Sequence, residues 1–312
     1  MKNKLLMLAL LPFLAAAPAT GQVKDQKPPD VRADVTVTAI TIAVTVQDGS
    51  GRMINNLAEK DFTIYENNEK RTITYFRQNY FAPLSLTVLL DVSGSMAVLN
   101  KLEEAKVALR NLVTSILSPR DEISLLIFAD GQVEVAAPFS TDRTEFLRVL
   151  DKLQAFGQTA LNDAVAVSPE FANRVHNEKR ALLLITDGVE NDSHVTPDEA
   201  LEIARRVDVP IYTIGYKIPM EEQLLKILKK GQGLTSAGIV ETLDRFSRAT
   251  GGKAFFLNRP EEMFEVLGKI KKEQTHQYII GYTSYKNSGG DYRFIRVATS
   301  NYKLKVRTRE GY

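Results

Sequence analysis

Oxygen-bearing side chains follow an apolar segment in the first half of the chain. The apolar run 84–90 leads directly into Asp91, and Ser93 and Ser95 come next at alternate positions, with Gly94 allowing a tight backbone path between them. These side chains offer only hard oxygen ligands, which suit Mg²⁺ or Mn²⁺ and would be poor for zinc. Because Asp and Ser also occur in turns and helix caps, this segment alone is modest evidence for a metal site.

Two later segments offer further oxygen ligands. Thr159 opens a predicted helix, and Asp187 follows the apolar run 181–185. In an open parallel sheet, ligands bind at the carboxyl ends of the strands, near the point where the strand order reverses. Three separate loops therefore offer oxygens, which strengthens the prediction of a Mg²⁺ or Mn²⁺ site at that edge.

The elements around these residues have the pattern of an α/β fold. From Leu84 onward, short apolar runs alternate with amphipathic segments of helical spacing. Such runs are typical of strands covered on both faces, so the alternation predicts right-handed crossovers in a doubly wound, mostly parallel, Rossmann-like sheet. A hairpin turn at 130–131 makes 133–138 an antiparallel edge strand. The other predicted strands are 84–90, 123–128, 181–185, 211–214 and 254–257, and helical spacing spans 102–116, 146–153 and 261–272.

A short β segment precedes the α/β part, at 35–82. Apolar residues alternate with polar or small ones along 35–46, but the phase slips near Ala39, which predicts a bulge or a break there. The segments 62–65 and 73–76 are further predicted strands, and an Asn-rich turn follows the first of them.

A second β segment, at 273–312, follows the α/β part. We expect a three-stranded β tail, turned at 287–290. Its predicted strands are 277–282, 294–299 and 302–308. Because each β segment is too thin to hold a core alone, we expect the two to pack as one small β-sandwich, with the α/β domain at 84–272 inserted between them.

The beginning of the chain has the pattern of an export signal. Two lysines precede the apolar run 5–17, and small residues follow it, with cleavage expected after Ala19 or Gly21. We therefore predict a signal peptide at 1–21, a polar spacer at 22–34, and a secreted, periplasmic or cell-surface protein. An uncleaved N-terminal anchor or a buried first helix is the alternative. No later apolar stretch reaches membrane-spanning length, so no membrane span is expected after signal removal.

The composition excludes several classes of protein. Of the 312 residues, 44% are hydrophobic and 25% are charged, which is ordinary for a globular protein. Lys and Arg number 40 against 38 Asp and Glu, a net charge of +2 that argues against a nucleic-acid partner. Since there is no cysteine, disulfides, thiolate metal sites and a lipid on a cysteine are excluded.

Five positions in the α/β part resemble the von Willebrand factor type A domains. The metal-ion-dependent adhesion site of that family combines an Asp-x-Ser-x-Ser loop with a distant Thr and a distant Asp. The matching residues are Asp91, Ser93, Ser95, Thr159 and Asp187. The resemblance implies that the two serines ligate Mg²⁺ or Mn²⁺ directly, the threonine directly or through water, and the two aspartates largely through water. It also implies one open coordination position, which a carboxylate of a partner protein would fill.

The resemblance covers 84 to about 272. More narrowly, the layout is similar to that of bacterial exported "VWFA-related" proteins, because 57–66, 278–282 and 306–312 match the β segments of that group. The chain departs from the family at Gln158, where Gly is common, and this puts the geometry of that loop in question.

Catalytic functions are disfavoured by the residues near Asp91. A phosphatase of the haloacid dehalogenase type also has an Asp after its first strand, but it needs a second acidic residue where Ser93 stands. A serine hydrolase needs a His oriented by a carboxylate, and no histidine adjoins a nucleophile-elbow pattern. The histidines are His176, His194 and His276. We therefore expect that the protein is not an enzyme, and a Mg-dependent hydrolase is the weaker alternative.

The function expected from these residues is metal-dependent protein binding outside the cytoplasm. Type A domains also serve as assembly subunits for AAA+ ATPases, and this scaffold role is the alternative. The predicted signal peptide argues against it, because those ATPases work in the cytoplasm. The segment 231–233 lacks the Gly-Lys-Ser/Thr of a Walker phosphate loop.

Overall fold

The computed structural model describes residues 36–78, 82–175, 177–220, 222–223, 234–286 and 292–312. The predicted signal peptide, the spacer, His176, the segment 231–233 and the predicted turn at 287–290 lie outside the described residues. In the described part, no helix combines the length and the apolar character that crossing a membrane requires.

The described strands and helices follow one another along the chain in a clear order. The strands are β1 (Thr36–Gln47), β2 (Phe62–Glu66), β3 (Glu69–Arg71), β4 (Ile73–Gln78), β5 (Leu84–Asp91), β6 (Glu122–Ala129), β7 (Gln132–Ser140), β8 (Lys179–Thr186), β9 (Ile211–Tyr216), β10 (Ala254–Leu257), β11 (Tyr278–Lys286), β12 (Ile295–Thr299) and β13 (Lys305–Arg307). The helices are α1 (Lys101–Asn111), α2 (Thr144–Lys152), α3 (Leu161–Asn173), α4 (Pro197–Ala204), α5 (Ser236–Thr250) and α6 (Pro260–Thr275).

The central sheet has six strands in the order β10-β9-β8-β5-β6-β7. All its neighbouring strands run parallel except β6 and β7, which are antiparallel. The predicted α/β class and the antiparallel edge strand are thus confirmed. The chain passes from β5 to β6 on one side and later continues through β8 on the other side, so the strand order reverses beside β5. In open α/β sheets, such a reversal places a ligand-binding crevice at the carboxyl ends of the strands beside it, which here are β5 and β8.

Helices cover both faces of this sheet, as its continuously apolar strands predict. Every residue of β5 is buried. Leu86, Val88 and Leu90 pack with α1, α2 and α6 on one face, whereas Leu89 packs with α3, α4 and α5 on the other. Local signals set helix ends: the Thr196 side chain caps the first turn of α4.

The two flanking β segments pair with each other. One sheet has the order β13-β1-β11-β4 and the other has the order β12-β2-β3, so each combines strands from both segments. The sheets share one core, to which Ile42, Val44 and Ile64 contribute from the first segment and Tyr282 and Val297 from the second. The expected β-sandwich, with the α/β part inserted in it, is therefore present.

Two details of the predicted β segments are wrong. The tail does not form a three-stranded sheet of its own, because its strands bond to β1, β2 and β4 of the first segment. There is also no bulge at Ala39, since β1 pairs with β11 in unbroken register from Thr36 to Val44. The irregularity lies instead between Gly281 and Tyr282, opposite β4. The unbroken backbone pairing of β1 with β11 therefore outweighs the change in the apolar alternation near Ala39.

A buried carboxylate connects the strands of the sandwich. Glu66, at the end of β2, is fully buried, and its side chain pairs with Arg71 at 2.9 Å and with Arg293 at 3.3 Å. Its other oxygen accepts hydrogen bonds from the hydroxyls of Tyr282 and Tyr312. Burial raises the pKa of Glu66, but these and other hydrogen bonds outweigh burial and hold the pKa below its usual value. Glu66 is therefore ionised at neutral pH and needs these partners.

We expect Glu66→Ala to lower the free energy of unfolding by about 3 kcal/mol, because it leaves two partly buried guanidinium groups without their shared carboxylate. The matched control is Glu69→Ala, which removes a carboxylate that also contacts Arg71 but whose side chain is 71% exposed. That change should cost less than about 1 kcal/mol. Urea unfolding of the three proteins measures both values, and equal losses for the two variants would contradict this account.

Candidate metal centre

Asp91 ends β5, at the crevice where the strand order reverses. Its side chain is fully buried. One carboxylate oxygen accepts a hydrogen bond from the Ser93 backbone N–H at 2.9 Å, and the other accepts one from the Thr186 hydroxyl at 2.6 Å. The neighbouring strand β8, which carries Thr186, therefore fixes the orientation of the carboxylate.

The two serines of the Asp-x-Ser-x-Ser segment lie side by side. The Oγ atoms of Ser93 and Ser95 are 3.2 Å apart. Adjacent ligands on an octahedral Mg²⁺, with bonds of about 2.0–2.1 Å, are separated by about 3 Å, so this spacing fits two ligands of one cation. The backbone N–H of Gly94 donates to the Gly157 carbonyl at 3.0 Å, and this bond joins the serine loop to the loop that carries Thr159.

Thr159 is buried and is held by the loop after β8. Its backbone N–H donates to Asn191 Oδ1 at 2.8 Å, and its carbonyl accepts from the N–H groups of Asn191 and Asp192 at 3.1 and 3.0 Å. The three predicted loops are thus connected by hydrogen bonds at one edge of the sheet. Asn191 was not predicted from the sequence, since an Asn in a polar loop has many ordinary roles.

Gln158, the departure from the family pattern, is accommodated in this loop. Its backbone N–H donates to Asp130 Oδ1 at 2.6 Å, and its side-chain amide donates to Asp192 at 3.3 Å. The conformational constraint falls on the preceding residue: Gly157 has φ +70°, and a Cβ there would lie 2.2 Å from Asp130 Oδ1. The loop therefore requires glycine at 157 and tolerates a side chain at 158.

Asp187 follows β8 and is fully buried. One of its oxygens accepts a hydrogen bond from the Val189 N–H at 3.1 Å. The other lies 2.6 Å from the ammonium of Lys101, the first residue of α1, whose side chain is only 3% exposed. This lysine was missed by sequence reasoning. Its only signal is its place one residue before the apolar face of α1.

The electrostatics of the centre favour a cation. Burial, and then the nearby charge of Asp187, raise the pKa of Asp91 to about 7. When both carboxylates are ionised, the Lys101 ammonium balances only one of the two buried negative charges. Two carboxylates and three hydroxyls form a hard oxygen set, so the residues fit a divalent ion such as Mg²⁺ in both charge and ligand type. In the described part of the chain, no three His, Cys, Asp or Glu side chains group into a metal site, so this set depends on its hydroxyls.

Other polar residues near the crevice have local structural roles. Glu190 accepts hydrogen bonds from the N–H groups of Asp192 and Ser193 and so holds its own loop together. His194 is exposed and pairs with Asp163 at 2.9 Å, and this contact raises the pKa of the imidazole.

Comparison with known proteins agrees with this geometry. Residues 86–190 match the family profile described as the von Willebrand factor type A domain. This match identifies residues 86–190 as a von Willebrand factor type A domain. The matched range includes all five candidate residues of the metal centre.

Two relatives match this chain at low identity. An uncharacterized protein of Borreliella burgdorferi is 26% identical over an alignment of 190 residues, which covers 57% of this chain and 54% of that protein. A magnesium-chelatase 67 kDa subunit of Chlorobaculum parvum is 28% identical over an alignment of 185 residues, which covers 54% of this chain and 28% of that protein. The chain thus spans about half or less of the length of these curated relatives.

Two solved structures are similar to this chain at low sequence identity. The pilus adhesin SpaC of Lactobacillus rhamnosus GG, in an open conformation, matches with a TM-score of 0.50 and 11% identity over 85% of this chain and 49% of that one. The conserved hypothetical protein BatB of Bacteroides thetaiotaomicron has a TM-score of 0.47 and 19% identity, over 61% of this chain and 98% of that one.

The raised pKa of Asp91 predicts how pH affects the metal-free type A domain. Between the usual Asp value of 3.8 and about 7, folded Asp91 keeps a proton that the unfolded chain releases, so stability falls as pH rises through this window. Asp91→Asn does not titrate and lacks this contribution. We therefore expect the variant to gain thermal stability relative to the parent from pH 4 to pH 7. Melting temperatures of the two proteins are measured across this range. A difference between them that does not change from pH 4 to pH 7 would contradict the raised pKa of Asp91.

Proposed function

We propose that the chain is an exported protein-binding module that holds Mg²⁺ or Mn²⁺ in its type A domain and binds an acidic side chain of a partner protein through that metal. One observation carries the proposal: the paired hydroxyls of Ser93 and Ser95 lie beside two buried carboxylates whose charge is only half balanced. Such a set favours a divalent cation over a neutral or anionic ligand.

The five residues would share the work of holding the ion. Ser93 and Ser95 have hydroxyls at the spacing of adjacent ligands, and Thr159 adds a third hydroxyl from its own loop. Asp91 and Asp187 already accept hydrogen bonds on all four oxygens, so they suit contacts through water. The bound ion would supply an electrophilic position that accepts a carboxylate oxygen.

The surface beside the centre suits a protein partner. Val98 and Leu99, in the segment after the serines, are 50% and 60% exposed, and Phe156, three residues before Thr159, is 52% exposed. Large exposed apolar side chains in the loops that carry a polar site are typical of protein interaction surfaces. An acidic residue with apolar neighbours would fit this surface.

We assign the centre to binding rather than to catalysis. Ser93 occupies the position where a phosphatase would need a second acid, and His194 pairs with Asp163 rather than with a serine of the centre. A secreted, periplasmic or cell-surface location follows from the sequence pattern of residues 1–21.

An assembly role beside an AAA+ ATPase is the second candidate. It is favoured by the match to a magnesium-chelatase subunit, which covers 28% of that protein. The cellular location separates the two functions, because the proposed binding module is exported. Cell fractionation that leaves the intact precursor in the cytoplasm would favour the assembly role.

Isothermal titration with Mn²⁺ tests the metal centre. We expect one site in the parent protein and at least about a tenfold loss of affinity in Ser93→Ala and Thr159→Ala, since each removes a ligand hydroxyl. Ser124→Ala is the matched control, because it removes a buried hydroxyl in the middle of β6 that bonds to Thr87. Equal affinities in all four proteins would place the ion elsewhere.

Capture from cell-envelope extract tests partner binding. With Mg²⁺ present, the parent and Ser124→Ala should retain a partner. Adding a chelator, or substituting Asp91→Asn, should each lower the amount of partner retained about tenfold, because the contact depends on the ion. Capture that neither treatment changes would reject metal-mediated binding.

A further inference from the structure

A buried lysine lies at the edge of the proposed metal centre. The side chain of Lys101 is only 3% exposed, and its Nζ is 2.6 Å from Asp187 Oδ2. Removing an ammonium from water destabilises the fold unless an anion pairs with it. At a buried helix start such as this one, an apolar residue would usually make the fold more stable. The neighbouring residues Leu102 and Ala105 are indeed apolar and buried. Packing alone therefore does not account for a cation here.

The charge of Lys101 changes how the centre responds to a metal ion. Asp91, Asp187 and Lys101 together carry one net negative charge when both carboxylates are ionised. A divalent ion would bring this buried group to one net positive charge, and a carboxylate from a partner would then bring it to neutrality. With an apolar residue at 101, the ion alone would neutralise the centre, and a bound carboxylate would make it negative.

On the basis of the function proposed above, we infer that Lys101 is a built-in cation that weakens binding of the metal alone and couples metal binding to binding of an acidic ligand. The ammonium repels the ion, and because the site is buried, water screens this repulsion only weakly. The same positive charge attracts a carboxylate once the ion is present. By linkage, an acidic ligand must then raise the affinity for the metal by the same factor as the metal raises affinity for the ligand. Metal-loaded protein would thus accumulate mainly where an acidic partner is available.

The test measures Mn²⁺ affinity by isothermal titration, in chloride and in acetate buffer of equal ionic strength, with acetate as the carboxylate probe. Lys101→Met removes the charge and keeps a long side chain. Lys106→Met is the matched control, because Lys106 lies in the same helix and pairs instead with Glu103. Lys101→Arg keeps the charge and shows whether a loss reflects shape. Circular dichroism confirms that each variant is folded.

We expect Lys101→Met to bind Mn²⁺ about tenfold more tightly than the parent in chloride. Acetate should raise the affinity of the parent, Lys106→Met and Lys101→Arg, and this gain should disappear in Lys101→Met. A purely structural role for Lys101 predicts weaker metal binding in Lys101→Met and an unchanged effect of acetate.

The possible failures are distinguishable. In the first case, the parent binds Mn²⁺, and Lys101→Met behaves as Lys106→Met does. In the second case, the parent binds Mn²⁺, Lys101→Met fails to fold, and Lys101→Arg shows no gain of affinity in acetate. In both cases the inference about Lys101 is wrong and the proposed metal centre stands. If only Lys101→Met binds Mn²⁺, Lys101 excludes the ion and the proposed function is wrong. If neither binds it, both proposals are overturned.

Discussion

Two carboxylates buried side by side at the ends of adjacent parallel strands are the constraint on which the crevice depends. Asp91 and Asp187 are both fully removed from solvent, and this burial, together with the smaller effect of the charge of Asp187, raises the pKa of Asp91. Isolated buried charges of this kind would destabilise the fold by several kcal/mol each. The surrounding groups respond to this constraint: the Thr186 hydroxyl, two backbone N–H groups and the Lys101 ammonium all point at the carboxylates.

Hydrogen bonds hold the loops around these carboxylates to one another. Gly94 bonds to Gly157, and Thr159 bonds to Asn191, so each loop positions the next. A binding site that must place several oxygens within a few tenths of an ångström gains from such rigid support. Gly157 and Gly188 adopt positive φ, and in both cases a Cβ would meet a neighbouring side chain at 2.2 Å. The backbone conformation of these loops therefore restricts the residues allowed at 157 and 188, just as metal binding would restrict the oxygen ligands.

The sequence predicted the elements whose signal is local. Continuous apolar runs such as β5 and β8 identified buried parallel strands, and the alternate spacing of Asp91, Ser93 and Ser95 identified the oxygen set. What it missed depends on distant contacts. Lys101 lies 86 residues from Asp187, and a lysine at the start of a helix ordinarily lies in solvent. The tail strands were found, but their pairing was not, because a short strand carries no mark of its distant partner.

The pairing of the two β segments determines how a pulling force would travel through the molecule. The chain leaves the sandwich at Gln78 and returns at Tyr278, and these two residues are register partners on adjacent strands. Thr36 and Tyr278 lie at opposite ends of the antiparallel ladder between β1 and β11, so a force that pulls these two residues apart would act on that ladder in shear. Both connections of the type A domain leave the sandwich at this same end of the ladder, so a tether that pulls Thr36 against that domain would strain the ladder's hydrogen bonds together rather than one at a time.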